Sequence, residues 1–341
     1  MNLESGDLAG ASRPERCGCA ARPRRVCDVC EAEGSSFLAC SLTCLERHLG
    51  AAHAELGASD SGARARGWLR ERNRHSPGSW ASYASHRLEL GRLLEALPAG
   101  GDLCVFGAGN AEDLELERLV ARFSEIHLVD LDGEALERAR ERQGAATRKK
   151  LVLHPEVDCS GLLEHLDDWA EHFPQPSELM AAAVLAAQGI VRGLGRGFSA
   201  VVSTCMLAQL VAPFERAWLA SRAQWAELLR AINAVHLGTL TGSLLAGGHG
   251  LVVIDSASSA DTPALAEQWG RSSEELEEFV ADARKSGGLF LRPEPLELLR
   301  QLAAPGLGAL VSEPRLSAPW LWDTGSETRL VYGLGFEHPA G

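Results

Sequence analysis

Gly107 and Gly109, with Asp130 about 20 residues further on, are the residues whose type and spacing best suit ligand chemistry. Glycine lets the backbone turn sharply and approach a ligand with no Cβ in the way. The pair follows Leu103–Phe106, LCVF, a short apolar run fit for a strand inside a parallel sheet. Leu114, Leu116, Leu119, Val120 and Phe123 then recur at helical spacing, and Ile126–Val129 supplies a second buried strand. Asp130 falls where that strand ends, a place from which an acid accepts hydrogen bonds from ribose hydroxyls. Strand, glycine turn, helix, strand and acid together predict a site for a nucleoside-containing ligand. The alternative is an ordinary βαβ turn that binds nothing.

The ligand's charge can be read from the next residues. A dinucleotide fingerprint wants a third glycine three residues after the second, where a pyrophosphate docks on the helix N-terminus. Glu112 holds that place and Asp113 follows. Two carboxylates in a first helical turn suit the helix dipole but repel a pyrophosphate, and they tolerate a cation. S-adenosylmethionine has adenine, ribose and a sulfonium cation, and no phosphate. GAGN and VDLDGEALERAR resemble the glycine loop, second strand and following helix of the Rossmann-like S-adenosylmethionine-dependent methyltransferases. The resemblance implies that Gly107, Ala108 and Gly109 pass under the methionine part and that Asp130 binds the ribose. Asn110 and Leu131, beside them, are implied cofactor contacts too. Asp158, in HPEVDCSGLL, resembles the family's acid after the third strand, which contacts the adenine amino group; a loop or N-cap aspartate is its other reading. Asp132 reads as an exposed turn residue before Gly133.

A second cluster lies near the N-terminus: Cys17, Cys19, Cys27, Cys30, Cys40 and Cys44, with His48 and His53 following. Eight soft and borderline ligands divide into two tetrahedral zinc sites, closed and therefore structural. Cys44 and His48 are four apart and share a helix face. The pattern resembles the two-zinc fingers of the HIT and MYND kind. By their interleaved pairing Cys17, Cys19, Cys40 and Cys44 share one ion, and Cys27, Cys30, His48 and His53 the other. Cys17-x-Cys19 is tighter than the usual pair, the interval from Cys30 to Cys40 is long, and His53 stands where cysteine is usual. So small a module owes its fold largely to metal. Fingers of this type recruit proteins, which makes a protein partner the expected role; a reduced, unstructured cysteine-rich tail is the alternative.

The chain has 341 residues, enough for a large domain and a small module. A net charge of −13 speaks against a broad nucleic-acid surface, which needs clustered Lys and Arg. Residues 61–75, SGARARGWLRERNRH, depart from that balance, and read either as a solvated linker or as a footprint for an anionic partner. No segment has 18 consecutive apolar residues, and residues 180–191 read as a core helix. The first ten residues lack a basic flank and an apolar stretch, so a cytoplasmic location without membrane attachment is expected.

These elements predict three regions: a zinc module over 1–53 with ligands at 17–53, an Arg/Ser/Gly-rich linker over 54–80, and an α/β domain over 81–341. The last is expected to hold a seven-stranded, mainly parallel Rossmann-like methyltransferase sheet with helices on both faces. Residues 80–97 predict a helix whose Tyr83, His86 and Arg87 lie either at the site or at the surface. Residues 197–204 predict the fourth strand. Ligands in open α/β sheets sit beyond the strands' carboxyl ends, which places Ser203, Thr204, Cys205 and Met206 beside the transferred methyl. Cys205 reads as a buried wall residue rather than a nucleophile, having no adjacent His or acid to lower its pKa. Trp218, Trp225 and His236 read as core, Asp255 as the end of the fifth strand, and residues 257–327 as irregular apart from an acidic helix at EELEEF. Trp320 and Trp322, two apart, share a face if extended.

The expected activity is methyl transfer to an unidentified acceptor. Asp255, His86 and His236 are the candidate bases, with the catalytic group unknown. An inactive methyltransferase-fold scaffold and an NAD-dependent oxidoreductase are the rival readings, and Glu112 disfavours the second. A nucleic-acid acceptor is disfavoured further by Ser-Thr-Cys-Met after strand four, where amino-methylating nucleic-acid enzymes carry Asn/Asp-Pro-Pro-Tyr.

Overall fold

The computed structural model describes residues 15–16, 25–26, 37–39, 61–75, 80–217, 222–289 and 291–340. The chain divides into two compact units, Met1–Asp60 and Ser61–Gly341. In the first, β1 (Glu15–Arg16) pairs in parallel with β3 (Phe37–Ala39), and β2 (Arg25–Val26) pairs antiparallel with β3. The eight expected zinc ligands, Cys17, Cys19, Cys27, Cys30, Cys40, Cys44, His48 and His53, lie outside the described residues, as does Trp218.

The second unit begins earlier than its sequence boundary. Residues 61–75, expected to be part of an open linker, form helix α1 (Ser61–His75). Ala65 and Leu69, one turn apart, give that helix a short apolar stripe that joins the main core, which the surrounding arginines obscure in the sequence. Helix α2 (Ala84–Ala96) follows, with His86, Arg87, Leu90 and Leu94 buried.

A single sheet organises the rest. Strands β4 (Leu103–Phe106), β5 (Ile126–Val129), β6 (Leu151–His154), β7 (Phe198–Thr204) and β8 (Leu244–Ser258) are parallel. With β10 (Trp320–Asp323) and β11 (Thr328–Glu337) the order is β10-β11-β8-β7-β4-β5-β6, and β11 runs antiparallel to both neighbours. The sheet has eight strands rather than the expected seven, because β9 (Ser312–Leu316) also pairs with β11. Its sequence, SEPRL, gives no buried-strand signal, and its residues are exposed or only partly buried.

Strand alternation builds two core layers. Cys104 and Phe106 join Val201, Val252 and Ile254 on one face, whereas Leu103 and Val105 join Val202, Leu251 and Val253 on the other. Helix α3 (Leu116–Arg122) links β4 to β5, and α4 (Gly133–Glu141) links β5 toward β6. Asp132 is buried rather than exposed: its carboxylate accepts from Glu134 N and Ala135 N and caps α4.

Helices α5 (Ala145–Arg148) and α6 (Leu166–Glu171) precede α7 (Pro176–Leu194), which starts with a Gln175/Glu178 capping box and stops at left-handed Gly195. Expected in the core, α7 buries only a stripe of Leu179, Ala183, Ala187 and Leu194, and leaves Met180, Val184 and Leu185 exposed. Among the described residues it is the one helix long and apolar enough to cross a membrane. Helices α8 (Leu207–Ala217) and α9 (Arg222–Gly242) complete that face, and His236 of α9 is buried in it while Trp225 is partly covered. Residues 257–327 contain the expected acidic helix, α10 (Ser273–Lys285), and, where irregular chain is expected, α11 (Pro295–Ala303), β9 and β10.

Candidate cofactor and acceptor site

Three residues in the turn after β4 have left-handed backbone: Gly107 (φ 71°), Gly109 (φ 47°) and Ala111 (φ 50°). Gly107 N and Ala108 N donate to Val129 O, tying the turn to the end of β5. Asp130 completes the tie. One carboxylate oxygen accepts from Gly109 N at 2.9 Å and the other from Asp132 N at 2.9 Å. Burial pushes its carboxyl above the usual aspartate value, against the pull of these backbone hydrogen bonds. Asp130 therefore shapes the turn as well as facing the crevice, and each oxygen retains a lone pair for a further donor.

The turn floors a cavity of about 120 Å³ at the carboxyl ends of the central strands, where the connections from β4 diverge toward β5 on one side and β7 on the other. Gly107, Ala108, Gly109, Asn110, Asp130, Leu131 and Asp158 all line it, so seven of the eight expected cofactor residues come together. The eighth does not. Ser203 is fully buried and its hydroxyl meets His236 Nε2 at 2.8 Å, because the two-residue alternation of β7 turns it to the layer that holds Val201. Thr204, Cys205 and Met206 line the cavity in its place. Asn110 lines the cavity with its side chain already engaged, donating to Asn73 O at 2.6 Å and accepting from Arg138 Nε at 3.0 Å. Asp158 lines the cavity, and its carboxylate takes the loop-capping role, accepting from Ser160 N, Ser160 Oγ and Leu163 N.

Glu112 and Asp113 are not in a first helical turn, since α3 begins at Leu116. Glu112 is buried and ion-paired with Arg142, and its carbonyl accepts from Arg87 Nη1 at 2.8 Å. Asp113 instead faces the cavity near Thr204, and burial pushes its carboxyl up to about 6 against the pull of the Thr204 hydrogen bond. The cavity wall thus holds four carboxylates, Glu112, Asp113, Asp130 and Asp158, and no Lys, Arg or His among the described lining residues.

Leu69 and Asn73 of α1 cover the cavity, contributions that reading 61–75 as a linker could not supply. Asn73 Oδ1 would lie 3.3 Å from a Cβ at Gly109, so this helix packs directly on the turn.

The wall opposite the turn is aromatic. Tyr83 and Trp322 line it, packed edge to face with centroids 4.7 Å apart. Trp320 and Trp322 do share the buried face of β10. Both His86 and Arg87 are buried rather than at the surface. His86 stacks on Trp322 at 4.4 Å and accepts from Trp320 Nε1 at 3.2 Å, while Arg87 lies 3.5 Å over the Trp80 ring. Burial pulls His86 down to about 3 and His236 down to about 4, and neither lines the cavity. Asp255 is ion-paired with Arg329 behind Cys205. None of the three candidate bases therefore reaches a ligand here. Cys205 has a left-handed backbone (φ 45°) and a thiol pushed well up by burial, as a wall residue rather than a nucleophile would.

The turn's tolerance can be tested at Gly107. A Cβ there would stand 2.8 Å from Met206 Sδ and 3.2 Å from Met206 Cβ, on a backbone that disfavours L side chains. Gly107→Ala is expected to lower stability by about 1–3 kcal/mol in urea unfolding. Gly109→Ala, whose nearest neighbour is the Asn73 amide at 3.3 Å, is expected to cost less.

No family model matches the chain, and no curated protein does. Distant likenesses exist among solved structures. A putative methyltransferase from Bacillus halodurans C-125 shares 9% identity, with TM-score 0.38 over 74% of this chain and 99% of its own. The methyltransferase domain of bacterial CtHen1 shares 13% identity, with TM-score 0.37 over 74% and 97%. An rRNA methylase from Streptococcus thermophilus shares 13%, with TM-score 0.30 over 75% and 95%. Likenesses this remote decide nothing about chemistry. The class that the chain's own topology defines is a Rossmann-like α/β domain.

Proposed function

We propose that the unit Ser61–Gly341 is an S-adenosylmethionine-dependent methyltransferase. The observation that carries this reading is the charge of the cavity wall: four carboxylates, of which Glu112 is matched by Arg142, and no cationic side chain among the described lining residues, over a glycine turn backed by Asp130. A pyrophosphate would find repulsion there, whereas a cationic, phosphate-free nucleoside finds complementarity.

In this reading Asp130 receives the ribose hydroxyls, Asp158 faces the adenine, and Gly107–Gly109 pass beneath the methionine part. The cofactor supplies a methyl carbon already bonded to a good leaving group. The chain's task is to hold the acceptor in line and exclude water, which Tyr83, Trp322, Met206 and the covering helix α1 are placed to do. The test is calorimetric titration with S-adenosylmethionine, S-adenosylhomocysteine and NAD. Micromolar binding of the first two without NAD binding is expected. NAD binding alone would favour an oxidoreductase, and no binding of any would favour the scaffold reading.

The N-terminal Cys and His residues complement this domain as a structural two-zinc module that recruits a protein partner. About two zinc ions per chain are expected on metal analysis of purified protein, falling when Cys44 and His48 are both replaced by Ala. Unchanged zinc in that variant would remove the module.

A further inference from the structure

The cavity holds one carboxylate that neither the protein's ion pairs nor the implied cofactor contacts use. Glu112 is matched by Arg142, Asp130 and Asp158 face the ribose and adenine positions, and Asp113 remains. Asp113 stands at the end where Thr204, Cys205, Tyr83 and Trp322 meet, the acceptor side of the site. Resting on the methyltransferase reading, we propose that the methyl acceptor is a cationic amine held beside Asp113, and that Asp113 is the base that takes its proton.

Several observations point the same way. No Lys, Arg or His is among the described lining residues; the cationic side chains that act on this end, Arg87 on Asp113 and Arg72 and Arg329 on Tyr83, do so from outside that lining. Anionic acceptors such as phosphates or carboxylates would meet a wall of their own sign. Other candidate bases are committed: His86 to the tryptophans, His236 to Ser203 and Asp255 to Arg329.

The charged and titratable groups acting on Asp113 are Arg87 and Glu112, with Tyr83 and Cys205 alongside. Arg87 draws its carboxyl down and Glu112 pushes it up, while burial outweighs both. Tyr83, pushed to about 12, and Cys205, pushed well above the usual thiol value, stay neutral near pH 7. Asp113, at about 6, is then the group that ionises just below neutrality, a useful position for accepting a proton at physiological pH.

The step balances simply. A proton passes from the ammonium nitrogen to an Asp113 oxygen. The freed lone pair forms the N–C bond as the C–S pair stays on sulfur, and the Asp113 proton leaves to solvent. The products are a methylated ammonium, a neutral thioether and one released proton.

The test is binding to the full chain saturated with S-adenosylhomocysteine, using 2-phenylethylamine, 2-phenylethanol and phenylacetate as size-matched cationic, neutral and anionic probes. At pH 7.5 the amine is expected to bind at least tenfold more tightly than the alcohol, with phenylacetate weakest. Acidification through about pH 6 protonates Asp113 and should erase that preference. Asp113→Asn should also erase it, and a cooperative urea unfolding transition like that of wild type shows that the variant folds. Equal binding of amine and alcohol would overturn the proposal, as would a preference that survives in Asp113→Asn. A tenfold or greater loss of S-adenosylhomocysteine affinity in that variant would assign Asp113 to the cofactor instead. Failure of wild-type protein to bind S-adenosylhomocysteine would take down the methyltransferase reading itself, a different result from all of these.

Discussion

Asp130→Ala should lose S-adenosylmethionine affinity by about 100-fold or more. Two hydroxyl hydrogen bonds to a charged acceptor contribute about 1.5–3 kcal/mol each, and the substitution removes both. It has a second consequence, because Gly109 N and Asp132 N would lose their acceptor in a largely covered site. An unsatisfied buried donor costs about 1–3 kcal/mol, so the variant should also unfold earlier in urea. Asp130→Asn separates the two effects. Its carbonyl can keep one of the backbone bonds, so stability should partly recover while affinity remains well below wild type. Equal affinity of both variants and wild type would show that Asp130 only folds the turn.

The largest stability effect is expected at Arg329. Its guanidinium meets Asp255 and Glu327 and lies 5.7 Å from the Trp322 ring. Asp255 is 6% exposed, and its second oxygen has no hydrogen-bond partner. Burial already raises its carboxyl above the ordinary value, although Arg329 pulls it down. Arg329→Met would leave that carboxylate buried and unmatched, at a cost of about 3–5 kcal/mol.

The pH dependence has a definite sign. A carboxyl raised in the folded state favours folding when protonated and loses that advantage as pH rises through its folded value. The variant's deficit should therefore shrink on acidification and grow toward neutral pH. Adding Asp255→Asn should recover much of the loss in a double-mutant cycle. A deficit independent of pH and unrelieved by the second substitution would place the effect in packing against Trp322 instead.

The βαβ core was legible because its signals are local. LCVF is an unbroken apolar run and IHLV is interrupted only by His127, and the glycine turn between them is marked by residue type alone. Helix α1 was hidden because arginine and glycine dominate its sequence, while its packing rests on little more than Ala65 and Leu69. Ser203 was misplaced by taking the strand end as a whole, when alternation sends Ser203 to one layer and Thr204 to the cavity. Glu112 and Asp113 are adjacent acids with opposite fates, set by Arg142, which is far along the chain. His86 and Trp320 meet across almost the whole domain, a contact that no spacing rule contains. What failed to show in the sequence was long-range pairing, and the aromatic wall of the cavity is built from it.

The most direct measurement is a crystal structure of the full chain grown with S-adenosylhomocysteine. Ribose oxygens within hydrogen-bonding distance of Asp130, with sulfur toward Asp113 and Cys205, are the expected result. A ligand seated elsewhere, or a glycine turn that holds none at saturating concentration, would contradict the assignment of this site.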